Sequence, residues 1–368
     1  MTGRFVAFFR RQPRWMLVTV GLAWIALLAV LDYLAPLEIS FLTFYVGPVL
    51  FLVWFVGPGA GFLGAAVSAA FWTWEDVFSA HAHPTLTLKI TDWNLAVRAA
   101  FLALFVWVVA ELKRALERER HAAQERLERD VAIAHDVQER LFPRKDPEIR
   151  GLECHGACRP ARGVAGDYYD FLRLDAERVG IAAGDVAGKG LSAALLMASL
   201  QGAVRSFASM AGDGPVALAR DLNAQMYALT ESNRFATFFW AVFDERSRTL
   251  MWVNAGHNAP MLLRATGALE RLPASGPPLG ALPAASYRQA TTALAPGDLL
   301  IVFTDGVTEA ANTAGEEFGE TRLEQLLRDQ AGSTVGSLCQ RIVDAVQDFE
   351  AGLPQMDDIT VVAARATR

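Results

Sequence analysis

Four short segments place aspartates where they could do chemistry. They are Gly166-Asp167-Tyr168-Tyr169-Asp170, Gly184-Asp185-Val186-Ala187-Gly188-Lys189-Gly190, Thr304-Asp305-Gly306 and Asp357-Asp358-Ile359-Thr360. Each sits at the end of a run that reads as a β-strand. A strand-end Asp beside a glycine is well placed to point into a cleft, because glycine permits a tight turn and leaves the backbone carbonyl accessible. Separated carboxylates that converge on one point repel one another unless a cation joins them. Mg2+ and Mn2+ are hard ions that take oxygen ligands, carboxylates above all. The chemistry this points to is a metal centre, with two ions as one form of it. Taken singly, an Asp-Gly pair reads better as a turn, so the inference rests on the four sites occurring together.

The elements that must position them begin at Gly151. Short β-type runs cover Leu152 to Cys158, Tyr168 to Leu174, Val179 to Asp185, Phe235 to Phe243, Thr249 to Val253, Met261 to Leu263, Leu299 to Thr304 and Ile359 to Ala363. Helical stretches follow Gly190, to about Met210, and Pro215, to about Leu229; two more lie near 321–329 and 334–350. Strands interspersed with paired helices predict a β-sandwich with helices on its faces.

The first third of the chain is of another kind. Half of all residues are hydrophobic (52%) and 20% are charged, yet residues 1–112 hold only 12 Asp, Glu, Lys or Arg against 62 in the remainder. Four apolar runs stand out: Trp15 to Leu31, Ile39 to Val56, Ala60 to Trp74 or Phe78, and Leu95 to Leu112. Each is about 17–20 residues long, and at about 1.5 Å per residue that suits a bilayer core roughly 30 Å thick. A secretory signal could mimic the first run but not the other three. Arg4, Arg10, Arg11 and Arg14 precede the first run, and Lys113, Arg114, Arg118 and Arg120 follow the fourth, so both ends are expected on the cytoplasmic side. Asp32, Glu38, Glu75, Asp76, His81, His83, Asp92 and Arg98 are the polar residues in or near these runs. They read either as a sensor for a ligand, proton or metal at the outer face, or as interface residues in water with Arg98 snorkelling.

Residues 111–141 contain neither Gly nor Pro and are rich in helix formers, which predicts one long helix. Leu127, Ala134 and Leu141 are spaced as a heptad seam, with Leu116, Ala123 and Val131 as a second, imperfect row. The helix is expected either to pair with a second copy as a coiled coil that relays a membrane event, or to pack on its own domain. The net charge of −6 argues against a nucleic-acid partner. Three cysteines, all after residue 150, make no disulfide framework and fit a reducing compartment.

AGDYYD, GDVAGKG, NAGHNAP, FTDGVTEA and DDIT occur in this order between Ala165 and Thr360. The set resembles the PPM (type-2C) protein serine/threonine phosphatases, and within them the SpoIIE-type bacterial branch that includes the RsbU-like regulators of sigma-factor cascades. The resemblance covers about 135–366, and Val137-Gln138-Glu139-Arg140-Leu141-Phe142-Pro143 looks like the helix that precedes the catalytic domain in that branch. It implies an αββα sandwich with two Mn2+ or Mg2+ ions between its sheets. By matching motifs, Asp167, Asp185, Asp305 and Asp357 are the expected catalytic metal ligands, Asp185 bridging, with the Val186 carbonyl as a further ligand. Asp358 is expected to support the site from behind, although adjacent carboxylates leave that open. Ala165 departs from the pattern, since many relatives carry Gly there; alanine fits unless that residue needs a positive φ.

What the resemblance implies for function is hydrolysis of phosphoserine or phosphothreonine by a metal-activated water, with no covalent intermediate. Cys154 and Cys158 lack the Gly and Arg arrangement that cradles phosphate in cysteine-dependent enzymes, and with His155 they offer too few ligands for zinc. They read as packing residues on one strand face. His257 reads either as the acid that protonates the leaving group or as a residue that holds its loop. Arg159, Arg162 and Lys189 are the basic candidates for phosphate contact. The expected organisation is a four-helix transmembrane domain over 1–112, a helical linker over 113–143 and the phosphatase domain over 144–368. That places the chain in a bacterial inner membrane, in contact with membrane lipid, with the catalytic domain cytoplasmic. The partner implied is a phosphorylated anti-anti-sigma protein of the STAS type, and a homodimer through the 111–141 helix is the matching assembly. Two other classes stay open at this point: a silent receptor whose phosphatase-like domain only binds a phosphoprotein, and a nucleotide cyclase. The cyclase has no place for GDVAGKG and DDIT.

Overall fold

The computed structural model describes residues 2–34, 42–82, 88–210, 214–229, 234–330 and 332–368. The chain forms two compact units, 1–126 and 127–368. The first holds α1 (Thr2–Arg10), α2 (Arg14–Leu34), a 3-10 turn (Leu42–Tyr45) running into α3 (Val46–Phe55), α4 (Pro58–Ala82) and the start of α5 (Leu88–Glu139). Ile25, Leu52, Val53, Trp72, Leu102 and Val106 form its core. A Cβ on Gly21 would come within 2.5 Å of Leu52 Cδ2, so the missing side chain is what lets α2 and α3 meet. Arg98 finds a partner inside the bundle, its guanidinium 5.5 Å from the centre of the Trp72 ring. Glu38 and His83 lie outside the described residues, as do the side chains of Glu75, Asp76, His81 and Asp92.

Three stretches among the described residues are long and apolar enough to cross a membrane by length and composition: α2, the part of α5 from Leu95, and Leu191–Ala208. The last belongs to the second unit and packs on a sheet. The second and third apolar runs fall on α3, of ten residues, and on α4, diluted by glycine, serine and threonine. Unit 1 leaves large apolar side chains outside, among them Trp15 (71% exposed), Leu34 (72%) and Trp107 (58%). An apolar skin of this extent marks a surface that something other than water covers.

The second unit runs β1 (Leu152–Arg159), β2 (Asp167–Arg173), β3 (Arg178–Val186), α6 (Leu191–Met210), α7 (Pro215–Leu229), β4 (Ala236–Asp244), β5 (Thr249–Ala255), β6 (Met261–Leu263), β7 (Leu269–Arg271), β8 (Ala290–Ala293), β9 (Leu299–Phe303), α8 (Asp305–Thr308), α9 (Gly319–Asp329), α10 (Val335–Glu350) and β10 (Ile359–Ala366). Two five-stranded antiparallel sheets result, ordered β1-β10-β9-β6-β7 and β2-β3-β4-β5-β8. Three apolar layers hold them. Phe239, Ala241 and Phe243 of β4 face Leu300, Val302 and Val362 of the other sheet. The alternate residues Phe238, Trp240 and Val242 pack under α6 and α7. On the far side, Ile301, Phe303, Val361 and Ala363 pack under α9 and α10. Strands buried on both faces read as nearly continuous apolar runs, which is why β4, β9 and β10 are plain in the sequence. β7 and β8 are too short and too exposed to show a period.

Candidate functional site

The strand period decides which acidic residues meet. On β2, Tyr169 points between the sheets and Tyr168 points at the helices, so Asp167 faces the inter-sheet space and Asp170 does not. Asp170 is buried on the helix side, where Arg205 of α6 donates to it at 2.8 Å and the Tyr168 hydroxyl at 3.2 Å. It is a structural ion pair. Asp167 lies directly opposite Asp185 in the β2–β3 register. The other sheet contributes from just beyond its strands: Asp305 two residues past the end of β9, opening α8, and Asp357 and Asp358 directly before β10. A Cβ on Gly306 would meet the Asp358 carbonyl oxygen at 2.0 Å, so a glycine after Asp305 is what lets these two turns close on each other.

Hydrogen bonds lock the cluster. Thr304 Oγ1 donates to Asp167 Oδ2 at 2.8 Å and accepts from the Thr360 amide at 3.1 Å, tying the sheets together. Asp358 accepts from the Ala161 amide at 2.7 Å on one oxygen and from the Gly166 amide at 2.6 Å on the other. It therefore holds the loop before Asp167. That loop is gripped again by Gln138 near the end of α5, whose amide donates to the Ala165 carbonyl at 2.7 Å and accepts from the Ala165 N–H at 2.8 Å. Ala165 is not among the positive-φ residues, so alanine fits there. A Cβ on Gly166 would stand 3.2 Å from the Val186 carbonyl oxygen and 3.7 Å from Asp185 Oδ1, so both oxygens border the space that a side chain there would take.

The electrostatics are those of an acidic cluster short of positive charge. Burial pushes the Asp185 carboxyl up to about 7, helped by the charges of Asp305, Asp357 and Asp358. Asp167 lies well above the carboxylate range because it is buried, with Asp185 and Asp358 adding to the effect. Burial and then Asp357 raise Asp305. Lys189 stands between Gly188 and Gly190, both at positive φ, and its ammonium lies 2.7 Å from Asp357 Oδ2 and 2.8 Å from the Met356 carbonyl oxygen. Arg159 and Arg162 are exposed.

Among the described residues, no three carboxylate, imidazole or thiol groups already form a cage around one point. The reason is visible: Asp357 is turned to Lys189 and Asp358 to backbone amides. The donor set is all oxygen, with mutual repulsion that a cation would relieve, and it fits hard divalent ions with Asp167, Asp185, Asp305, Asp357 and the Val186 carbonyl as holders. Nitrogen and sulfur stay out of it. Cys154 is buried between the sheets with its thiol pushed up by burial. His257 is buried beside Thr237, with Nδ1 2.9 Å from the threonine hydroxyl and its backbone N–H donating to Asn254 Oδ1 at 2.8 Å, while the buried Nε2 makes no well-formed hydrogen bond. Desolvation holds His257 down at about 4, against a smaller opposing pull from the Phe303 carbonyl. Thr304 and Gln138 were not singled out by sequence reasoning. The signal for the first was its place before Asp305; for the second, a polar residue in the segment ahead of Pro143.

A family model described as Stage II sporulation protein E (SpoIIE) matches residues 175–367. Protein IcfG of Synechocystis is 29% identical over 286 residues, covering 70% of this chain and 44% of that protein. The phosphoserine phosphatase RsbU of Bacillus subtilis is 29% identical over 246 residues, covering 66% of this chain and 71% of its own length. Among solved structures, the SiaA-PP2C domain of Pseudomonas aeruginosa superposes with a TM-score of 0.60 at 23% identity, covering 66% of this chain and 98% of that domain. The second unit thus has the PP2C fold.

Proposed function

The chain belongs to the SpoIIE family, and from that premise we propose that it is a membrane-anchored, metal-dependent phosphatase acting on phosphoserine or phosphothreonine in a protein. The observation that carries the reading is the meeting of Asp167, Asp185, Asp305 and Asp357 from two sheets at one end of the sandwich. Bound there, two Mn2+ or Mg2+ ions would supply an activated water and neutralise charge on the phosphoryl oxygens. The chain's own part is positional. Asp167 and Asp185 are fixed by strand pairing, and Thr304 orients Asp167. Asp185, Asp305 and Asp357 are half-buried, so the site can be reached by a side chain on another protein. Lys189, 40% exposed at the rim, is placed to exchange Asp357 for a phosphate oxygen. His257, neutral and enclosed, holds its loop and gives no proton to a leaving group.

Residues 1–112 serve as the membrane anchor or sensor, with four helices as the spans, and residues 113–143 as the connector to the catalytic domain over 144–368. Placement in a bacterial inner membrane, with that domain cytoplasmic, follows from the basic residues at both ends of the apolar third. A homodimer along α5 is supported by the exposure there of Leu127, Ile133 and Val137. The proposed substrate is a phosphorylated anti-anti-sigma protein of the STAS type. The test uses the full-length chain in detergent with candidate phospho-STAS proteins. Phosphate release that needs Mn2+ or Mg2+, stops on chelation and is lost in Asp305→Asn is the expected result. Tight binding of the phosphoprotein without turnover would instead assign a silent receptor.

A further inference from the structure

A cavity of about 460 Å³ opens among the helix ends of unit 1. Trp54 and Phe55, at the end of α3, give it an apolar wall; Arg10, Lys113 and Arg120 give it a cationic one, with His121 beside them. Glu117 is the carboxylate in its lining. Two of its cations are held in place. The Phe9 ring packs edge-on against Phe51 at 5.3 Å and tilted against Phe55 at 5.6 Å, which pins the short helix α1 and sets Arg10, its last residue, at the cavity. Lys113 Nζ donates to the Trp54 carbonyl at 2.7 Å, in the last turn of α3, where the helix end favours a cation. An ammonium has three donors, so this bond leaves two. Arg120 and His121 follow on the same side of α5 about two turns further on.

We propose that this cavity binds the phosphodiester headgroup of an anionic phospholipid. The inference rests on the membrane-anchored reading above. Three arguments support it. Lys113 directly follows the apolar run that ends at Leu112, which puts the cavity at the depth where headgroups begin. Two arginines suit a phosphate, since the guanidinium fork bonds two oxygens at once. The aromatic wall beside them suits the glycerol and first acyl carbons, and basic pockets at the cytoplasmic ends of spans are where anionic headgroups settle. The volume lies within the range of small-ligand sites, roughly 300–1,000 Å³. Arg114 and Arg118 on the same helix give the contrast. They lie 3.1 Å and 3.4 Å from Glu111 and take no part in the lining.

The test reconstitutes the full-length chain in nanodiscs of phosphatidylcholine with phosphatidylglycerol, extracts it, and counts retained lipid by native mass spectrometry. The wild type is expected to retain phosphatidylglycerol selectively. Arg10→Gln with Arg120→Gln should lower that retention at least about tenfold, while Arg10→Lys with Arg120→Lys, which keeps the charge but not the fork, should lose less than the glutamine pair. Arg114→Gln with Arg118→Gln should behave as wild type. Equal retention in the Arg10/Arg120 glutamine pair and the wild type would overturn the site, and so would an equal loss in the Arg114/Arg118 pair. Displacement of the lipid by matched inorganic phosphate would make this a soluble-anion site and overturn the lipid assignment. A chain that carbonate washes off membranes would sink the anchored reading and this site with it. An inserted chain that holds lipid without selectivity would sink the site alone.

Discussion

The sheet that holds β2 and β3 carries its two aspartates inside paired strands, whereas the sheet that holds β9 and β10 carries its three just beyond its strands, Asp305 at the start of α8 and Asp357 and Asp358 in the turn before β10. Asp167 and Asp185 face each other across a ladder, so their spacing is set by backbone hydrogen bonds that run the length of β2 and β3. Asp305, Asp357 and Asp358 hang on the close approach of two turns at Gly306 and on side-chain contacts with Lys189 and the loop amides. The strand half is therefore built to be rigid and the turn half to be adjustable. This difference explains why an acidic cluster can exist here without a finished cage.

The largest expected effect comes from the strand half. Asp185→Asn should lower metal-dependent phosphate release by about 10³-fold, the scale of losing one preorganised electrostatic group. The melting temperature should hold or rise, since a buried repulsion is relieved. A melting temperature well below wild type would mean that the ladder needs the charge. Next in size is an acid effect behind the same half. His257 titrates at about 4 in the folded chain, below its ordinary 6.5. The unfolded chain takes up the proton first, so stability falls as pH drops through 6.5 and the penalty is complete below about 4. That is up to about 3 kcal/mol. Denaturant titrations at pH 7 and pH 4.5 should show a smaller drop in His257→Gln than in the wild type; equal drops would reject the assignment.

Gly306→Ala tests the turn half. A Cβ meeting the Asp358 carbonyl oxygen at 2.0 Å must push the turns apart, at a cost of about 1–3 kcal/mol and a weaker hold on metal. Gly166→Ala, whose nearest contacts are at 3.2 Å, should cost less, and calorimetry of both variants checks the order. The smallest effect belongs to Lys189→Met. Its pairing with Asp357 is exposed and worth at most about 1 kcal/mol, so releasing Asp357 should tighten apparent Mn2+ affinity by less than about tenfold. Weaker Mn2+ binding in that variant would mean that Lys189 supports the site instead of competing for it.

Much of this architecture is legible in the sequence because buried strands leave long apolar runs and because glycines stand beside Asp185 and Asp305 at the ends of those runs. The difference between Asp167 and Asp170 is legible too, but only once the face of β2 is known: three residues apart on a strand means opposite faces. Gln138 and Thr304 act through backbone partners far along the chain, Ala165 and Thr360, and no local pattern announces such pairings. In unit 1, composition finds the apolar runs. The second run falls on α3, a helix of ten residues after a 3-10 turn, which composition does not announce, and the apolar α6 shows that a helix packed on a sheet can match a span in length and hydropathy.

The central claim is that two sheets together hold the ions. It is tested most directly by titrating the full-length, detergent-solubilised chain with Mn2+ and counting bound ions by calorimetry and electron paramagnetic resonance, in the wild type and in Asp185→Asn. Two ions per wild-type chain, with both weakened by removing Asp185, is the predicted result. Binding that is absent in the wild type, or unchanged in the variant, would contradict it.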